Sequence, residues 1–182
     1  RDAFPDQYKL AGLALASGIC DATIPTDERD CSFKGWIVNG TNLISTLPNP
    51  KNTLEAIQNL DLMVVIDTMP MEITGWADVV LPECTYLERY DNLRVSAHRE
   101  PTIALRAPAI EQKYNTKPAW WMAKELSNKL NLKDYFPFET EEEELDWQLK
   151  QIGSSLKEMN KIGVKKFDRK FDDLYPLENL EE

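Results

Sequence analysis

The sequence is poor in the residues from which most catalytic and metal centres are built. Histidine occurs once, at His98, in 182 residues. That argues against a His-rich zinc site and against a Ser-His-Asp triad. Cysteine occurs three times, at Cys20, Cys31 and Cys84. An odd, scattered set of this kind gives neither a disulfide framework nor a CxxC metal clip. No apolar run reaches the roughly 18 residues of a membrane-crossing helix. There is no phosphate-cradling GxGxxG or GxxxxGK[ST] sequence, and no internal repeat. Bases are outnumbered, 21 Lys and Arg against 31 Asp and Glu, and the net charge of −10 excludes a general nucleic-acid binder. The chain opens on Arg1 without an initiator methionine or a signal peptide, and is expected to be a piece of something longer.

What is present suits one compact globular domain, or one and a half: 42% of residues are apolar and 29% charged. A boundary is expected after Leu132, giving segments 1–132 and 133–182. The first carries 17 acids and 13 bases, the second 14 and 8, so the acidity gathers in the tail. In the first segment three short apolar runs are each bounded by turn residues. Phe33 to Val38 leads into Asn39-Gly40-Thr41-Asn42, Leu62 to Ile66 ends at Asp67, and Ala77 to Leu81 ends at Pro82. Continuous, β-branched runs read as strands buried on both faces of a sheet. Pro50 to Asn59, with Leu54, Ala56, Ile57 and Leu60 at helical spacing, predicts a helix between the first two strands. Strand, helix and strand make a βαβ crossover and hence a parallel sheet. Leu10 to Ala16 predicts a further helix ending near Gly18. The fold class is α/β.

Beyond Pro82 the pattern changes. Arg94 to Ala97 and Thr102 to Leu105 alternate around Glu100-Pro101, as a short antiparallel pair does. Lys117-Pro118 opens a helix to about Leu130, its apolar face formed by Ala119, Met122, Ala123, Leu126 and Leu130. A second helix follows Thr140 as N-cap. Glu141 to Glu144 lie at the positive end of its dipole, and Leu145, Leu149 and Ile152 form its stripe. A third runs from about Ser154 to Ile162 with Leu156 and Met159 inward, and Phe167 to Glu182 shows no clear period.

Ligands of open parallel sheets collect beyond the carboxyl ends of the strands. Those ends carry Asn39-Gly40-Thr41-Asn42, Asp67-Thr68 and Pro82-Glu83. A carboxylate such as Asp67 can accept two hydrogen bonds from a ribose diol or from the N1 and N2 edge of guanine. Equally, Asp67 can cap the next segment and Asn42 can make a turn. Arg89, past the third strand, could reach a nucleotide phosphate or base, or pair with Glu83 or Asp91. Trp120-Trp121 reads as helix-to-sheet packing, His98 as a hydrogen-bonded loop residue, and Cys84 as a small buried apolar residue. Glu141 to Glu144 reads as a solvated helix start, since calcium-loop spacing is absent. Asp78, at the start of the third strand, lies away from the crevice.

Longer stretches carry a resemblance. Gly40-Thr41-Asn42 with Ser45 and Leu47-Pro48-Asn49-Pro50, then Asp61 to Asp67, Trp76 to Pro82 (WADVVLP) and Tyr86-Leu87-Glu88-Arg89 resemble the dimethyl sulfoxide reductase family of molybdopterin oxidoreductases. Leu105 to Ile110 and Lys117 to Trp121 (KPAWW) are most similar to its polysulfide and thiosulfate reductase catalytic subunits. The resemblance covers about Phe33 to Val164.

It implies a Rossmann-like three-layer fragment with a short parallel sheet, followed by a small antiparallel pair and C-terminal helices. Segment 1–132 would be part of a region binding molybdopterin guanine dinucleotide, and 133–182 a helical, loosely ordered connector. The parent would be an oxidoreductase of anaerobic respiration. Its cofactor would be molybdenum or tungsten held by bis(molybdopterin guanine dinucleotide), with an iron–sulfur cluster in an N-terminal part not in this chain. Carried over residue by residue, the family's cofactor-binding positions fall on Asn42, Ile66, Asp67 and Arg89. Where many members carry an acidic residue before the paired tryptophans this chain has Ala119, a departure from the family's pattern at one cofactor contact. No catalytic or metal-binding residue is implied, and the chain alone is expected to be inactive and without bound cofactor. Implied partners are an iron–sulfur electron-transfer subunit and a membrane quinone-linked subunit, with no nucleic acid. Implied too is a location in the periplasm or on the outer face of the cytoplasmic membrane. Apolar surface left open should favour self-association. The alternative is a free-standing nucleotide-binding or protein-interaction α/β domain.

Overall fold

The computed structural model describes residues 17–27, 33–96 and 101–167. The predicted helix Leu10 to Ala16, Cys31, His98 and the stretch after Phe167 lie outside the described residues. The chain divides into two compact units, Arg1–Glu83 and Cys84–Glu182. Residue 132 falls inside the second, between two of its helices.

The first unit runs α1 (Gly18–Thr23), β1 (Gly35–Asn39), α2 (Leu43–Thr46), α3 (Pro50–Gln58), β2 (Leu62–Asp67), a 3-10 turn (Glu72–Trp76) and β3 (Val79–Pro82). The sheet order is β1-β2-β3 and both pairings are parallel, with Asn39 opposite Ile66 and Asp67 opposite Pro82. Two sequence devices start α3. The Asn49 side chain accepts the Asn52 N–H at 3.4 Å, and Pro50 stands where a missing N–H costs nothing. Its face then buries Thr53, Ala56 and Ile57.

The core of this unit is Cys20, Trp36, Val38, Leu47, Ala56, Ile57, Met63, Val65 and Ile73. Large apolar side chains buried here contribute roughly 1.5–3 kcal/mol each. Side chains of α1 and α3 therefore cover the sheet face that carries Trp36, Val38, Met63 and Val65. On the opposite face Ile37 is 61% exposed, Leu62 47% and Val79 43%. The expectation of strands buried on both faces fails at Ile37, Leu62 and Val79 and holds at Ile66 in the central strand. A continuous apolar run says that a strand can be covered twice; within the first unit α1 and α3 cover one face, and on the other Ile66 is buried while Ile37 is not.

The second unit runs β4 (Arg94–Ser96), β5 (Thr102–Ala104), α4 (Ala119–Lys129), a 3-10 turn (Lys133–Tyr135), α5 (Glu141–Lys150), α6 (Leu156–Ile162) and β6 (Val164–Lys166). The predicted antiparallel pair is present, and β6 joins it to give the order β4-β5-β6. Thr140 caps α5, its hydroxyl accepting the Glu143 N–H at 3.2 Å, and Ser155 caps α6 in the same way through Glu158. Leu145, Leu149 and Met159 close on Ile103 and Leu105.

Three details differ from expectation. Ile152 lies past the end of α5 and is partly exposed rather than part of the buried stripe. Pro118 is the N-cap of α4, not a residue of its first turn. Trp121 is exposed with Lys117 over its ring, and Trp120 packs on Phe136 with ring centroids 5.3 Å apart, so the pair serves helix–loop contacts.

Candidate functional site at the carboxyl end of the parallel sheet

The end of the parallel sheet is built from the turns that leave β1 and β2. Gly40 takes φ +60°, and a Cβ built there meets no atom within 4 Å. A side chain would be strained at that φ, and glycine keeps the space beside it open. The Gly40 N–H donates to the Ile66 carbonyl at 2.9 Å, which extends the ladder and fixes where the turn begins. Two residues later Asn42 occupies the N-cap position of α2, with its side chain turned away from capping.

Asn42 is buried at 6% exposure. Its Nδ2 donates to Ser45 Oγ at 3.0 Å and to Glu72 Oε2. Its carbonyl oxygen Oδ1 is buried and has no donor among the described residues. A buried acceptor without a donor is costly, and native structures contain few. Asp67 ends β2 half-buried, and its Oδ1 accepts the Thr68 N–H at 2.7 Å. Its other oxygen receives no hydrogen bond from the described residues. Glu83, buried at the end of β3, accepts from Asn39 Nδ2 at 3.5 Å, and its N–H donates to the Asp67 carbonyl at 3.0 Å.

Of the sequence-predicted residues, Asn42, Ile66 and Asp67 therefore share one end of one sheet. Ile66 is buried within β2, and its contact with the turn is through the main chain. Arg89 belongs to the other unit. There its guanidinium pairs with Asp91 at 2.6 Å and donates to the Tyr90 carbonyl at 3.2 Å, one of the two roles its neighbours allowed. Asp91 also pairs with Arg106, whose guanidinium stacks over Tyr86. Cys84 is buried, as expected. Asp78 lies at the opposite end of the sheet from Asp67 and bonds the backbone of Met63.

Sequence reasoning missed Glu72. It lies in the crossover between β2 and β3, 30 residues from Asn42, and no local pattern links the two. It also treated Glu141 to Glu144 as uniformly solvated. Burial, with the neighbouring Glu142 charge adding to it, pushes the Glu141 carboxyl up to about 7, while Arg89 pulls the other way. Burial likewise raises the Cys20 thiol, which suits an inert core residue. Among the described residues no group of His, Cys, Asp and Glu could hold a metal ion. No described helix is long and apolar enough to cross a membrane.

The sequence profile of the family Molybdopterin oxidoreductase matches residues 21–129. The chain belongs to that family. It is 29% identical over 157 residues to the thiosulfate reductase molybdopterin-containing subunit PhsA of Salmonella typhimurium, covering 86% of this chain and 20% of that protein. A nitrate reductase of Shewanella frigidimarina is 29% identical over 143 residues, 74% of this chain and 15% of its own length. Among solved structures, acetylene hydratase from Pelobacter acetylenicus superposes with a TM-score of 0.70 at 22% identity, over 86% of this chain and 21% of that one. This last likeness supports the mixed α/β fold. The chain spans 15–21% of the length of these relatives.

Proposed function

We propose that the chain is part of a molybdenum-dependent oxidoreductase that reduces polysulfide or thiosulfate. Its role there is to dock the guanosine end of a molybdopterin guanine dinucleotide. The observation that carries this reading is the buried Oδ1 of Asn42 at the carboxyl end of a parallel sheet, which has no donor among the described residues. Asp67, with one oxygen open, and the bare Gly40 turn adjoin the same end. The chemistry of this set fits a guanosine: two acceptors await N–H or O–H donors, and the glycine turn lets the ligand approach the backbone. Asn42 and Asp67 would hold the base or ribose, with Ile66 shaping the floor. When bound, the molybdenum and its pterin sulfurs supply the redox chemistry.

The sulfur substrate is supported by the similarity to a thiosulfate reductase subunit across 86% of the chain. Within the same proposal the parent works with an iron–sulfur electron-transfer subunit and a quinone-linked membrane subunit, outside the cytoplasmic membrane.

The docking role is tested in the full-length protein with Asp67→Ala. Loss of a hydrogen bond to a charged group costs roughly 1.5–3 kcal/mol, or about one to two decades in affinity. Purified Asp67→Ala protein should therefore release less GMP on acid treatment and carry less molybdenum. Full occupancy in that variant would reject the site. Assays of the parent with polysulfide, thiosulfate, nitrate and arsenate decide the substrate.

A further inference from the structure

We propose that Glu72 is a positioning residue, which turns the Asn42 amide so that its carbonyl oxygen faces the ligand. This rests on the docking reading above and adds which polarity of group the site accepts. The two ends of an asparagine amide have nearly the same shape, so only their partners decide which way it lies. Asn42 Nδ2 has two hydrogens, and they go to Glu72 Oε2 and Ser45 Oγ. A hydroxyl can donate or accept, so Ser45 does not choose between orientations. A carboxylate only accepts. Turning Asn42 over would set Oδ1 against the Glu72 oxygens, acceptor against acceptor, and Glu72 therefore makes the choice.

The backbone holds Glu72 in place for this. It is the first residue of the 3-10 turn Glu72–Trp76, and the next side chain, Ile73, is fully buried in the core. Before it, Met71 is tied to Thr74 by two hydrogen bonds, at 3.2 and 2.6 Å. The consequence is a buried acceptor, Asn42 Oδ1, without a donor among the described residues. A ligand N–H or O–H would satisfy it. On a guanosine the available donors are the N1–H, the exocyclic amino group and the ribose hydroxyls.

The test titrates the full chain, isotope-labelled at asparagine nitrogen, with GDP and three analogues, each lacking one class of donor. Inosine diphosphate lacks the exocyclic amine, N1-methyl-GDP the ring N–H, and dideoxy-GDP the hydroxyls. The wild-type chain should bind one analogue about tenfold more weakly than GDP, the worth of one such bond, and so identify the donor read. In Glu72→Gln the new amide can donate to a turned Asn42 Oδ1. That preference should then shrink to within about twofold, and the Asn42 side-chain amide resonances should move without nucleotide. General damage to the fold would weaken all four nucleotides alike. Glu72→Gln that keeps both the wild-type preference and the Asn42 resonances overturns the proposal. If GDP does not bind the wild-type chain, the docking reading falls, and the unliganded Asn42 resonances alone decide whether Glu72 sets the amide.

Discussion

The Asp78 carboxylate accepts the backbone N–H of Met63 at 2.7 Å, while the Asp78 N–H donates to the Met63 carbonyl at 2.9 Å. One residue thus closes both hydrogen-bonding positions at the entry of β3 against β2, beside a methionine that is 1% exposed. Asp78→Ala removes one of the two bonds and leaves a strand N–H to find water at the edge of the core. It should lower the stability of the first unit by about 1–3 kcal/mol. Asp78→Asn retains an acceptor oxygen and should recover most of that loss. Thermal unfolding of the two variants checks this, and equal melting temperatures for Asp78→Ala and wild type would contradict it. Loss of Asp78 therefore acts through the fold.

A second bond of this kind joins α1 to the sheet. Thr23, fully buried, donates through Oγ1 to the Ile19 carbonyl at 2.7 Å and accepts from Trp36 Nε1 at 3.1 Å. Thr23→Val preserves the volume and strands the indole N–H in the core. The expected cost is about 1–3 kcal/mol. In urea the midpoint should fall with the slope unchanged, and Thr23→Ser should hold its midpoint near that of wild type. A Thr23→Val midpoint at the wild-type value would mean that Trp36 has another acceptor.

The parallel sheet was legible because its signals are local. Leu62 to Ile66 is a β-branched apolar run, and Asn49-Pro50 is a helix start written in two residues. The position of Asn42 and Asp67 at the carboxyl end of the sheet followed from them. What escaped depends on distant partners. Val164–Lys166 has too few residues and too little alternation to read as a strand, and it is one because β5 offers an unpaired edge. Ile37 looks like a core residue, and only the tertiary arrangement leaves it bare. Glu72 meets Asn42 only after the chain has passed through α2, α3 and β2. Arg89 had two chemically sound roles, and the structure places it with Asp91, two residues along the chain.

The last prediction concerns pH. Glu141 opens α5, where the helix dipole favours a carboxylate. Burial overrides it and, with Glu142, Glu144 and Asp91 adding to it against Arg89, raises the Glu141 carboxyl from 4.5 to about 7. The folded state therefore keeps this proton over a range in which the unfolded chain has lost it. With more protons bound to the folded form, the slope of stability against pH is negative between those two values. Stability from this group is complete below about 4.5, declines as pH rises and is gone above about 7. A carboxylate held by an ion pair behaves in the opposite sense. Glu141→Gln cannot ionise, so the variant should gain on wild type as pH rises, by about 1 kcal/mol at the alkaline end. That figure is scaled down from the full linkage value because solvent screens a half-buried carboxyl. The quantity to measure is the difference in urea midpoint between Glu141→Gln and wild type, since titration of the carboxyls not coupled to Glu141 cancels in it. It should be near zero in mild acid and favour the variant above neutrality. A difference that stays flat with pH would show that Glu141 ionises in the folded protein like a solvated side chain.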